Sequence, residues 1–195
     1  QRLTLAQERI AEHPARPVVA VPGSSRLALG FAPEALPPLA ADGRPVLPLN
    51  LAHLGAGPVM NRALLGRLLR DGVRPRWVVG ELMPSYLTPP ADRVARTARE
   101  AGHPRRKVRD WHPAAGPDRA VRDTVRVCRE HGIGVAFVLA PEGDSFRTLY
   151  SPEARQRVGE YAAALSRELD VPLTDARDWL PDDHFTDGHH PLRRG

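Results

Sequence analysis

Apolar and polar positions alternate along this chain between short continuous apolar runs and longer amphipathic stretches. Val18-Val19-Ala20-Val21, bounded by Pro17 and by Pro22-Gly23-Ser24-Ser25, is a continuous run that predicts a buried strand. Similar runs predict strands over Val46 to Leu54, Trp77 to Leu82, Val135 to Leu139 and Val171 to Thr174. Thr4, with Gln7 three residues later, forms a capping box for a first helix that Pro14 ends. Leu27 to Leu39 is apolar but interrupted by Gly30, Pro33, Pro37 and Pro38, which predicts a short helical turn and an irregular loop. Pro58 opens a helix whose Met60, Leu64 and Leu68 recur every four residues and which Gly72 stops. Arg119 to Glu130 predicts another, stopped by Gly132 and Gly134. Ser151-Pro152-Glu153 combines an oxygen cap, a proline and a carboxylate at a helix start, followed by a stripe of Val158, Tyr161, Leu165 and Leu169. Thr88 to Pro117 is the least regular stretch. One polar helix is expected there, from about Ala91 to Ala101, and then a basic loop through Trp111 and His112. That stretch reads as a surface excursion rather than a lid.

Five strands alternating with helices predict an α/β fold, a three-layer sandwich around a five-stranded parallel sheet with right-handed crossovers. Strands that stay apolar at every position suit a sheet covered on both faces. A flavodoxin-like order of 2-1-3-4-5 places the turn after the first strand at the switch point, where ligands bind beyond the strands' carboxyl ends. The 195 residues are expected to form one domain over 1–195. Because the chain opens on Gln1 and stops at Gly195 as a helix is due to start, it is expected to be trimmed from a longer polypeptide at both ends.

The single cysteine, Cys128, excludes an internal disulfide and a cysteine-based zinc site, and it shares a helical face with Val121 and Val125. The net charge of +5 raises a nucleic-acid partner, but the basic residues are nearly all arginines spread along the chain, with only Arg105-Arg106-Lys107 as a short cluster, and aromatics are only 5% of it. They read as a solvated surface, so no nucleic-acid partner is expected. No apolar stretch approaches the length of a membrane span, leaving membrane attachment to segments outside this chain. The sequence carries no signal for an oligomeric state.

Candidate chemistry lies at the two ends. Gly23 permits a tight turn from which a serine hydroxyl can project; the other use of Ser24 or Ser25 is to cap the following helix. A serine needs an adjacent base to act as a nucleophile, and a histidine oriented by a carboxylate supplies one. Asp187 and His190 stand three residues apart around Gly188, on a loop that the fifth strand delivers to the same sheet edge as Ser25. Those residues permit a Ser25–His190–Asp187 triad. His184, Asp187, His189 and His190 are also metal-ligand types, but they lack regular spacing and the triad uses two of them. No metal and no cofactor is expected, and the ring of His189 is expected to turn outward. Glu81 and Glu142, at strand carboxyl ends, either line the crevice and contact substrate or pair with arginines such as Arg147. Arg26 either orients an anionic substrate or bridges to one of those glutamates.

In the order of these blocks the chain resembles the SGNH, or GDSL-type, serine hydrolases. The first family block, Gly-Asp-Ser, appears as Gly23-Ser24-Ser25, a variant similar to relatives in cell-envelope acyl transfer. The last, Asp-x-x-His followed five residues later by Gly, appears as Asp187-Gly188-His189-His190 through Gly195. Asn50 to Gly55 is similar to the second block, so the resemblance gives Gly55 and the Ser25 amide an oxyanion-hole role. It implies hydrolysis of an ester, or O-acyl transfer, through an acyl-enzyme, with small acyl groups on carbohydrate as substrates and no cofactor. It also implies an extracytoplasmic, cell-envelope location. The third block departs: Glu81-Leu82-Met83-Pro84-Ser85 stands where the family carries an asparagine, so the oxyanion hole would rest on the Ser25 and Gly55 amides unless Asn61 or Ser85 reaches in. That departure keeps open an inactive domain binding a glycan or protein partner.

Overall fold

A computed structural model describes residues 2–88 and 108–192. In chain order its elements are helix α1 (Arg2–Glu12), strand β1 (Val18–Val21), helix α2 (Ser25–Gly30), strands β2 (Ala40–Ala41), β3 (Arg44–Pro45) and β4 (Leu47–Asn50), and helix α3 (Pro58–Arg70). Strand β5 (Trp77–Glu81), helices α4 (Pro84–Leu87) and α5 (Ala115–Glu130), strand β6 (Gly134–Leu139), helices α6 (Asp144–Arg147) and α7 (Pro152–Glu168), and strand β7 (Leu173–Asp175) follow.

The five long strands form one parallel sheet in the order β4-β1-β5-β6-β7, the predicted 2-1-3-4-5 arrangement. Val18 pairs with Leu47 on one side, and Val19 with Trp77 on the other. The serine turn therefore leaves the sheet between β4 and β5, and the chain after β7 starts from the far edge. Apolar helix faces close over the sheet in two clusters. One gathers Ala6, Leu49, Leu65, Leu68 and Cys128, the other Val125, Phe137, Leu139, Val158 and Leu165. Burial pushes the Cys128 thiol up to about 11, consistent with a packing role.

Several expectations are corrected in detail. Helix α1 already runs through Thr4, so the Thr4–Gln7 pair does not cap it. β4 ends at Asn50 rather than Leu54, because the Asn50 side chain turns the backbone by accepting from the Ala52 N–H at 3.0 Å. Ahead of it lies an unpredicted hairpin, β2–β3, turning on Asp42 and Gly43, both at positive φ. Met60 is 55% exposed, and Leu65 with Leu68 forms the inner face of α3. Trp111 is not on a surface excursion. It is 2% exposed, donates Nε1–H to the Pro84 carbonyl at 3.0 Å and meets Tyr161 edge-on. The helix expected over Ala91 to Ala101 lies outside the described residues. Ser151 does cap α7, accepting from the Ala154 N–H at 3.2 Å.

Candidate active site

At the end of β1 the chain turns through Pro22 and Gly23 into α2. Ser24 is the N-cap: its Oγ accepts from the Arg26 N–H at 3.2 Å, and its carbonyl takes the helix bond from Ala28 N–H. Capping thus occupies Ser24 and leaves the Ser25 hydroxyl for other use. Ser25 Oγ lies 2.9 Å from His190 Nε2, and His190 Nδ1 lies 3.0 Å from Asp187 Oδ2.

The local sequence explains how Asp187 and His190 meet. Residues 184–192 fold back on themselves: Thr186 N–H donates to the His190 carbonyl at 3.0 Å and Leu192 N–H to that of His184 at 2.8 Å. At the tip, Asp187 Oδ1 accepts the N–H groups of His189 and His190, at 3.0 and 2.8 Å. Gly188 makes this tip fit. Its φ is +74°, and a Cβ there would fall 1.9 Å from Ser145 Oγ, so a larger residue meets both strain and collision. Its carbonyl accepts from Gly143 N–H at 3.0 Å, and Asp182 Oδ1 accepts from Asp144 N–H at 2.5 Å, docking the loop on the segment after β6.

Burial opposes charge on Asp187, but the two backbone N–H groups and the His190 ring outweigh it and hold its carboxyl at about 2. An ionised carboxylate only accepts, so Nδ1 of a neutral His190 carries the proton. Nε2 is then the acceptor that faces the Ser25 hydroxyl.

His189 corrects an expectation. Rather than turning outward it is 5% exposed, stacked on Phe146 with ring centroids 4.3 Å apart and edge-on to His190 at 4.6 Å. It backs the His190 ring. Among the described residues, no group of three or more His, Cys, Asp or Glu side chains is placed to hold a metal ion.

Loop 50–56 is fastened to the serine turn. Leu51 N–H donates to the Val21 carbonyl and His53 N–H to that of Gly23, both at 3.0 Å. Asn50 Nδ2 donates to the Leu27 and Phe31 carbonyls at 2.8 and 2.7 Å, tying the same loop to α2. Gly55 sits two residues beyond His53, in an exposed turn closed by Ala56 N–H on the His53 carbonyl at 3.1 Å.

Of the two uses open to Arg26, Glu81 and Glu142, the structure shows pairing with one another and corrects the substrate contact. Arg26 is fully buried, with Nη1 3.0 Å from Glu142 Oε1, Nη2 donating to the Ala140 carbonyl at 2.5 Å and Nε 3.4 Å from Glu81 Oε1. Glu81 Oε2 accepts from the Ser24 N–H at 2.6 Å. Glu81 and Glu142 are buried as well, so all three face one another beneath the turn rather than a substrate in the crevice. Arg147 approaches Glu142 only at its backbone carbonyl. Asn61 lines a small cavity of about 30 Å³ with Pro22, Gly80 and Glu81, and the Ser85 hydroxyl is buried, without a partner among the described residues.

No family model and no curated protein matches the sequence at a significant level. Solved structures do match its fold. A Slackia heliotrinireducens protein assigned to the SGNH hydrolases superposes with a TM-score of 0.59 at 16% identity, over 92% of each chain. TesA gives 0.57 at 17% identity, over 91% of this chain and 90% of its own. Axe2, an acetyl xylan esterase from Geobacillus stearothermophilus, gives 0.56 at 13% identity, over 91% and 88%. With a parallel sheet in the order 2-1-3-4-5 and matches that run nearly end to end, this chain has the fold of the SGNH/GDSL hydrolases.

Proposed function

We propose that this chain is a serine esterase or O-acyltransferase working through Ser25, His190 and Asp187. The observation that carries the reading is the continuous Ser25–His190–Asp187 hydrogen-bond relay. In the first step Ser25 Oγ forms a bond to the ester carbonyl carbon while its proton passes to His190 Nε2. Asp187 stabilises the imidazolium, and the amides of Ser25 and Gly55 receive the oxyanion. The C–O bond to the alcohol then breaks and His190 returns the proton to the leaving oxygen. Water, or a sugar hydroxyl, attacks the acyl-enzyme by the same route in reverse. Substrates are small acyl esters, with acetylated carbohydrate favoured by the acetyl xylan esterase among the structural neighbours. The Gly23-Ser24-Ser25 variant supports an acyl-transfer role in the cell envelope.

A second reading keeps the fold without turnover, as a module binding a glycan or protein. What favours it is the third block, where Glu81-Leu82-Met83-Pro84-Ser85 carries no asparagine, since one oxyanion donor is worth ~10²–10³ in rate. Intact-mass analysis with a fluorophosphonate probe separates the two. A mass gain in the native protein that is absent in Ser25→Ala supports the esterase reading. No gain with several probes, on folded protein, leaves the binding module.

A further inference from the structure

Beneath the serine turn lies a charged assembly that this chemistry does not use. One guanidinium and two carboxylates, Arg26, Glu81 and Glu142, are enclosed by the protein. Burying such a set is costly, and apolar side chains of similar volume commonly hold a fold as well or better. Stability is therefore a poor reason for its presence. Its connections suggest another.

Each member ends on a different part of the site. Arg26 follows Ser25 in sequence, and its guanidinium grips the Ala140 carbonyl and Glu142, both on the segment leaving β6. The next residue, Gly143, holds the Gly188 carbonyl of the histidine loop. Glu81, the last residue of β5, places one oxygen toward Arg26 Nε and the other on the Ser24 N–H. The close approach is built into the turn, because a Cβ on Gly23 would lie 2.8 Å from Glu81 Oε2. The serine turn is thus held from below by Glu81 and tied sideways to the base of the histidine loop.

We infer that Glu81, Arg26 and Glu142 form a positioning strut that sets the register of Ser25 against His190. The strut acts through the Ser24 amide and through Gly143, and touches no substrate. The inference rests on the reading of Ser25 as nucleophile. A displacement of ~1 Å in a reacting group can cost ~10² in rate, so a strut with no contact to substrate still governs turnover.

The test uses hydrolysis of p-nitrophenyl acetate and the rate of fluorophosphonate labelling, with Ser25→Ala as reference. Glu81→Gln retains the shape and an oxygen that can accept from Ser24 N–H, and leaves Arg26 in a one-to-one pair with Glu142. A triple variant, Arg26→Met with Glu81→Gln and Glu142→Gln, removes the strut as a neutral set. Both should stay folded by circular dichroism. Both should lose ~10–100-fold in kcat and labelling rate with KM within about twofold, and Glu81→Asp should recover part of the loss. Folded variants with undiminished kcat would overturn the strut. So would a raised KM at unchanged kcat, which puts Glu81 on the substrate. Should the triple variant fail to fold, Glu81→Gln decides alone. Full turnover in Ser25→Ala sinks the nucleophile reading and the strut with it; loss there, with unaffected strut variants, sinks only the strut.

Discussion

Asp187 carries two opposed influences: burial disfavours its charge, and three hydrogen bonds from the following turn favour it more strongly. Its carboxyl therefore sits at about 2, below its ordinary 3.8. A group that binds its proton less readily when folded stabilises the fold fully above its unfolded value. That contribution is lost as pH falls through the folded value. Urea unfolding of the native protein and of Asp187→Asn should accordingly differ by a constant amount above about pH 5 and converge as pH drops toward 2. A gap that widens in acid would contradict the hydrogen-bond account. Catalytically, the amide leaves the loop in place but favours the wrong imidazole tautomer, so kcat of Asp187→Asn should fall by ~10⁴ with the circular dichroism unchanged. Undiminished turnover would end the triad reading whatever the distances are.

The histidine loop behaves as one element although it contains little regular structure. Its shape depends on Gly188, and Gly188→Ala should destabilise by ~1–3 kcal/mol from backbone strain, before the collision with Ser145 is added. Because the loop carries His190, kcat should drop at least about tenfold with little change in KM, since substrate contacts are not what moves. A variant with a lowered melting point but native kcat would show that the loop re-forms with His190 in place. Elements of this kind were only half legible in the sequence. Asp187, Gly188 and His190 announced a turn through their types and spacing, but nothing local in His189 says that Phe146, forty-three positions earlier, would capture its ring. The strands were legible because a continuous apolar run bounded by Pro and Gly has few other uses. Where β4 ended was not, because the side chain of Asn50 decides it through partners in α2. The fate of Glu81, Glu142 and Arg26 was hidden for the same reason: a charge at a strand end looks alike in sequence whether it faces a crevice or another charge.

Across the whole molecule, the order of the strands explains why the chain's two ends meet. β7 stands three strands from β1, so ~14 Å of sheet separates Asp175 from the serine turn, and the loop crosses it by resting on the end of β6. That route followed from the alternation of strands and helices. The packing of Trp111 did not, since an isolated tryptophan between prolines and charges gives no periodicity. Trp111 joins the approach to α5 with α4 through the Pro84 carbonyl, and with α7 through Tyr161. Its removal should therefore be felt as lost stability rather than lost chemistry. Trp111→Ala opens a cavity in the larger apolar cluster and should cost ~3–5 kcal/mol, a sizeable share of the ~5–15 kcal/mol that holds a domain together. Trp111→Phe keeps most of the ring but leaves the buried Pro84 carbonyl without its donor, for ~1–3 kcal/mol. Urea midpoints should fall in that order, phenylalanine less than alanine. Under conditions where both variants remain folded, the rate of fluorophosphonate labelling at Ser25 should match the native protein, because no bond of the relay passes through this ring. Slower labelling in folded Trp111→Phe would mean that α4 and the segment beside it shape the crevice, and would move Trp111 from the core's account to the active site's.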